Sequence, residues 1–453
     1  MLLRFSLTVW VLAALASLVA SQAYPITGVQ VAAGSAVPYR KNINILYKNG
    51  GAPWDLYLRS LQDLYAQDAN NRLSYFQIAG IHGRPYIEWN NAGRRNTNGW
   101  QGYCPHGEAL FLPWHRPYVL AFEQRLVETA IRLANQYPAA HRATYVKAAQ
   151  TLRAPFWDWG YDARVPPVTV PNTLPVRVPN GSGLRTIQIS NPLRYYRFPQ
   201  SAIDQRFGSF SRDAQVFKCR APQNYPNSAN AAMARRSYRS WTYDAMTRSA
   251  SFEEFASTGS SGISLEQIHN AVHWDGSCGF QFLDADYSAF DPLFMLHHAN
   301  GLEYWKKNDG QLQRDATAFI NKYYATGAAR PQVRKRENVE VTRYFAQIKV
   351  NVEELQRPCA IELFANVTSV GNFIVMKQPA QGLFYGNDLL AALRVQITKH
   401  DGTVQALESV PSFKLELENV DVIPPETDTE LPEYTDAEKV TAPKEDLAAA
   451  PPS

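Results

Sequence analysis

The sequence predicts a mainly α-helical core followed by a C-terminal, β-sandwich-like domain. Three observations carry that prediction. Apolar residues recur at helical spacing, with recognisable caps, through roughly the first 330 residues. Beyond a composition shift near residue 330, period-two alternation takes over. Seven of the nine histidines fall in two clusters, both inside the helical part. A chain of 453 residues exceeds one ordinary domain. Its 45% apolar and 12% aromatic content supports a globular protein with a large core, and a formal charge of +4 points to neither nucleic acid nor a polyanionic substrate.

Residues 1–23 read as a signal peptide: Arg4, an apolar run from Phe5 to Val19, then small residues up to Ala23. No later segment is apolar enough to span a membrane, so the mature chain is expected to be secreted and free of membrane. Asn180-Gly-Ser and Asn366-Val-Thr are then glycosylation acceptors. Four cysteines, Cys104, Cys219, Cys278 and Cys359, are too few for a disulfide scaffold. Cys219 with Cys278 is the expected pair, although the sequence leaves connectivity open.

Within the core, residues 24–330, Trp54, Leu58, Leu61, Leu64 and Tyr65 mark an amphipathic helix. His82 follows between glycines and before Pro85, which places it on a loop. A helix is expected from Pro117 to about Gln136, with His115 at or just before its start, and another over 140–152. Residues 161–262, rich in Pro, Asn, Ser and Arg, read as a long irregular region bordering the site. Ser264 caps a helix through His273, and Asp291-Pro292 opens one through His298 and Trp305. Residues 331–339 form a linker in which Lys335-Arg336 is a dibasic processing candidate. Strands are expected at 343–352, 360–366, 372–376, 392–398 and 412–420 within a domain of residues 340–423. Residues 424–453 read as a disordered acidic tail.

His269 and His273 are four apart, so on a helix both rings leave one face and can chelate one ion. His297 and His298 are about 100° apart around a helix, so only one joins them easily. His82, His106 and His115 make a second set. Imidazole-only sets suit copper, zinc, iron or nickel. Two structural zinc sites, or buried and satisfied histidines, are the alternatives at this point. A pair of copper ions is attractive because both oxidation states accept imidazole and two ions together bind O2.

The motifs sharpen the reading. His106-x4-Phe111-Leu112-x-Trp114-His115-Arg116-x2-Val119-x3-Glu123 and Asp291-Pro292-x-Phe294-x3-His298 resemble the two copper signatures of the tyrosinase family. That family includes catechol oxidases and molluscan haemocyanins, and the likeness spans roughly residues 40–310. It implies a four-helix bundle holding two copper ions, one on His82, His106 and His115 and one on His269, His273 and His298. Phe294 would stack beneath His298, and His297 would stand behind the ligands. Cys104-x-His106 is similar to the fungal pattern in which the cysteine sulfur is bonded to the histidine ring. Glu266 and Asn270 match positions proposed to hold a water that takes the phenol proton. Ala285 falls where plant members place a bulky gate over the second copper. In place of the family's aspartate and arginine after His298 stand Leu302 and Glu303.

Thr342–Val352 resembles the start of the C-terminal domain of longer fungal tyrosinases, which covers the site with an aromatic and is removed by a protease. Phe384 or Tyr385 is the candidate aromatic. The resemblance thus implies an oxidase of o-diphenols, with monophenol hydroxylation also open, made as a latent proenzyme and using O2. A haemocyanin-like oxygen carrier and a dedicated o-aminophenol oxidase are the alternatives.

Overall fold

The computed structural model describes residues 23–94, 100–219, 221–259, 263–300, 309–326, 341–376, 393–435 and 438–447. The apolar leader through residue 22, Leu302, Glu303, Trp305, Lys335, Arg336, Phe384 and Tyr385 lie outside them.

The helical part opens with α1 (Ile43–Asn49), whose cap Asn42 accepts from the Asn44 amide. Helix α2 (Gly51–Ala66) buries Trp54, Leu58, Leu61 and Leu64, the stripe its spacing predicts. A short α3 (Tyr75–Gly80), capped by Ser74, leads into the His82 loop. Helix α4 (Phe111–Ala134) packs on α2 and on α5 (Ala139–Thr151). It begins six residues before the expected Pro117, which sits inside its second turn. Proline there removes one helical donor. Continuous burial of Phe111, His115, Tyr118, Val119 and Phe122 outweighs that loss and puts His115 within the helix.

The stretch 161–262 is less irregular than its composition suggests. A hairpin of β1 (Thr173–Asn180) and β2 (Gly183–Ser190) turns over Gly181 and Ser182, with Gly181 at φ 58°. Pro175 and Pro179 hide the alternation of Leu174 and Val176, and both are tolerated because a two-stranded ribbon consists only of edges. A single helical turn at Gln200–Ile203 follows, then α6 (Asn227–Ala234), α7 (Tyr238–Arg248) and α8 (Phe252–Ala256). Helix α9 (Leu265–Gly276) is capped by Ser264 as predicted, and α10 (Pro292–His298) by Asp291. Helix α11 (Asp309–Tyr323) completes the helical part. Cys219 and Cys278 form a disulfide. Among the described residues no helix is long and apolar enough to cross a membrane.

The C-terminal part contains β3 (Val341–Lys349), β4 (Cys359–Ala365), β5 (Thr368–Val375), β6 (Leu393–Lys399), β7 (Val404–Gln405) and β8 (Lys414–Ile423). Antiparallel pairing gives one sheet ordered β5-β4-β6-β7. The other centres on β8, flanked by β3. The supposed tail supplies two further strands on β8, β9 (Glu433–Tyr434) and β10 (Glu438–Ala442), so residues 424–453 are not uniformly disordered. Backbone pairing does not require apolar side chains, and β10 is an exposed, polar edge strand, which is why composition misreads it.

The two sheets share a core of Ile348, Ile361, Leu363, Phe373, Val375, Ile397 and Leu415. Their sequence neighbours Phe345, Ala360, Ile374 and Val420 belong instead to the helical core cluster. Period-two alternation therefore makes the strands apolar on both sides, one for the sandwich and one for the helices. Buried ion pairs frame the junction: Arg343 grips Asp244 of α7 through both nitrogens at 2.5 and 2.8 Å. Arg236 bridges Asp275 of α9 and Glu362 of β4.

Removing Arg343 strands the buried Asp244 carboxylate. We expect Arg343→Ala to lower unfolding free energy by about 3–5 kcal/mol. Lys349→Ala, which breaks an exposed pair with Glu416, changes it by no more than about 1 kcal/mol. Denaturant midpoints measure both.

Candidate metal centre

Helix α9 presents His269 and His273 one turn apart, and α10 brings His298 to meet them. Their three Nε2 atoms lie 3.0, 3.0 and 3.2 Å from one another. The Nδ1 of His273 faces the Phe282 carbonyl at 2.6 Å, and that of His269 faces Asn270 Oδ1 at 2.9 Å. Both oxygens are acceptors, so each Nδ1 carries the proton and each Nε2 is left with its lone pair. Two lone pairs 3.0 Å apart have no proton to share and call for a cation between them. The centre of the triangle lies about 1.8 Å from each nitrogen, close to a metal–imidazole bond of about 2.0 Å.

The other trio comes from three places. His115 on α4 directs Nδ1 to the Phe111 carbonyl at 2.7 Å, its own helix one turn back. His82 directs Nδ1 to the Ala285 carbonyl at 3.1 Å. Neither His82 Nε2 nor His115 Nε2 has a hydrogen-bond partner among the described residues, and the same holds for His106 Nδ1. The three ring centroids are 5.1 to 5.6 Å apart. Two glycines make the His82 position possible. A Cβ on Gly83 would meet the Ala285 carbonyl at 2.4 Å, and one on Gly102 would meet the His82 carbonyl at 2.4 Å.

The trios lie side by side, with His115 and His298 stacked at 4.9 Å. Phe294 stacks on His298 at 3.9 Å and 18°, and its ring also meets His82 at 4.8 Å, so one phenyl touches both sets. His297 lies face-on against His269 at 4.8 Å and 16°. Burial holds all seven rings below the usual histidine range, His82 at about 4, because a charged imidazole is poorly solvated there. They are neutral donors at neutral pH, a set that suits copper, zinc, iron or nickel by softness.

Cys104 is buried in no disulfide, and its thiol donates to the His82 carbonyl at 3.0 Å. It groups with His82 and His106, their donor atoms within 4.8 Å of one another. Glu266 is fully buried: Oε1 accepts from the Gly107 amide at 2.6 Å and Oε2 from the Thr258 amide at 2.9 Å. It thereby ties α9 to the residue after His106. Burial raises its carboxyl to about 7 despite those donors. Asn270 reaches towards the Ile374 carbonyl of β5 at 3.5 Å.

Ala285 does not stand at a gate. It is buried beneath His82, because the connection from α9 to α10 folds under the first trio. A cavity of about 620 Å³ opens instead over His269, His297 and His298, walled by Phe111, Trp159 and Leu265 among others.

Residues 72–307 match the family model described as the common central domain of tyrosinase. The chain belongs to the tyrosinase family. It is 34% identical over 310 residues to a tyrosinase of Podospora anserina, covering 62% of this chain and 53% of that protein. Polyphenol oxidase 3 of Agaricus bisporus is 32% identical over 284 residues, covering 58% and 49%. The chain thus spans about half the length of these relatives. In fold it is similar to the apo-protyrosinase of Aspergillus oryzae, with a TM-score of 0.73 at 18% identity over 93% of this chain and 97% of that one. Recombinant mushroom tyrosinase gives 0.75 at 18%, over 92% and 98%. The tyrosinase cofactor is two copper ions, and the two histidine trios match that number and chemistry.

A Glu266 carboxyl raised from 4.5 to about 7 binds a proton more tightly folded than unfolded. Its contribution is full below about pH 4.5 and is lost as pH rises through 7. The stability difference between the native chain and Glu266→Gln is therefore expected to fall between those pH values, by on the order of 3 kcal/mol. Denaturation at fixed pH steps checks it, and a flat difference would contradict the raised value.

Proposed function

We propose that this protein is a copper oxidase that converts o-diphenols to o-quinones, two diphenols being oxidised per O2 reduced to two waters. The observation that carries the reading is the placement of a roomy cavity directly over the second of two adjoining, neutral, copper-suited histidine trios. When bound, the copper pair supplies O2 binding and electron transfer. His82, His106 and His115 hold one ion; His269, His273 and His298 hold the other.

The remaining work falls to the protein. A Cys104–His106 thioether would fix the only one of the three rings whose Nδ1 lacks a carbonyl anchor. Phe294 clamps His298. The phenol ring enters over His298 and His269, between the aromatic walls of Phe111 and Trp159. Glu266, with a carboxyl near 7, is suited to accept the phenol proton through a water shared with Asn270. That arrangement extends to hydroxylation of monophenols. We further assign secretion through residues 1–23, glycosylation at Asn180 and Asn366, and latency ended by a protease at Lys335-Arg336. Both asparagines lie exposed at hairpin turns. Phe384 or Tyr385 is the shielding aromatic in this scheme.

Copper-loaded protein should contain two ions per chain and, after cleavage at the linker, consume O2 continuously with catechol. Reversible oxygen uptake without turnover, or one metal per chain, would refute the oxidase reading. Asn270→Ala removes the acceptor that orients His269, and should weaken copper at the second trio by about 10–100-fold in a chelator competition.

A further inference from the structure

The cavity is larger than the proposed chemistry needs. Catechol has eight heavy atoms, whereas about 620 Å³ lies within the range of pockets for drug-sized ligands, roughly 300–1,000 Å³. Away from the histidines, three helices each turn an apolar stripe to this space. On α7 these are Thr242 and Met246, one turn apart; on α8, Phe252 and Phe255; on α11, Ala316 and Ile320, again one turn apart. Thr242 Oγ1 is already donated to the Tyr238 carbonyl at 2.8 Å, so its methyl is what it has to offer. The lining residue with a formal charge, Arg116, is the neighbour of His115 and lies at the histidine end. Phe252 is 50% exposed, an aromatic ring left in water beside the cavity.

We infer that the substrate is a phenol bearing a sizeable apolar substituent, carried in this three-helix groove while the hydroxylated ring lies over His298. The inference rests on the oxidase reading and narrows its substrate class. A charged or hydroxylated arm would be desolvated against these stripes, where the polar side chain, Thr242, already donates its hydroxyl to its own helix. An alkyl or aryl arm gains the transfer free energy of each buried group, equivalent to about threefold to fourfold in affinity per methylene. Ala316 is the small residue of the groove, and a larger side chain there shortens the space.

The test uses a series of 4-n-alkylcatechols from methyl to hexyl on the copper-loaded, linker-cleaved protein. A parallel calorimetric titration gives binding of 4-n-alkylphenols to the metal-free, linker-cleaved protein. Both kcat/KM and affinity are expected to rise about threefold to fourfold per methylene before levelling off. Ala316→Trp should flatten both slopes, and Met246→Trp on the facing helix provides the same test should the first variant not fold. Turnover of catechol with no dependence on arm length, or slopes that survive both variants, would overturn the inference. A binding slope without turnover of any member would leave the groove in place and refute the oxidase reading instead.

Discussion

The centre depends on one recurring interaction: a backbone or amide oxygen holding the Nδ1 proton of a buried imidazole. His82, His115 and His273 each use a carbonyl and His269 uses Asn270. This choice of tautomer turns four Nε2 lone pairs inward. Burial then keeps the rings neutral, so the site repels protons and is left with donors only a metal can satisfy. Two anchors, Ala285 and Phe282, belong to the connection between α9 and α10. That segment therefore orients a ring from each trio, and the disulfide from Cys278 to Cys219 ties it to the loop carrying Lys218. Lys218 pairs with Asp291, the cap of α10.

Most of the metal centre was legible because its chemistry is written in side-chain identity and spacing. His269 and His273 on one helical face, the Asp291-Pro292 start and the Phe294–His298 stack follow from helical periodicity and capping. What supports the rings was not legible, since backbone carbonyls carry no residue type and the partners lie far apart in sequence. Gly83 signals a loop, but neither it nor Gly102 reveals in the sequence the close approach that makes each necessary. The gate expected at Ala285 rests on position in sequence alone, which fails when a connection folds beneath the site rather than over it.

In the fold, the errors have a common origin. Prolines disguised β1, polar residues disguised β10, and Pro117 suggested a helix start where the helix was already under way. In each case tertiary pairing or burial outweighed a local signal. The five long sandwich strands are legible within a few residues because both of their faces are apolar and the alternation persists in part, whereas the two-residue β7 is too short to show one. The second apolar face has no explanation within the sandwich. It is explained by the helices it rests on.

That contact bears on what cutting the linker does. Phe345, Ile374 and Val420 are sealed into the helical core, and Asp244 and Asp275 are neutralised by arginines at the same junction. A break in the backbone near residue 335 removes a covalent tether and none of these contacts. In the proposed scheme the cut ends latency by letting the C-terminal fragment leave, and its departure exposes this apolar surface and strands the buried carboxylates. Strand β5 lies against the helix bearing His269 and His273, so release of the cover also takes away part of that helix's support.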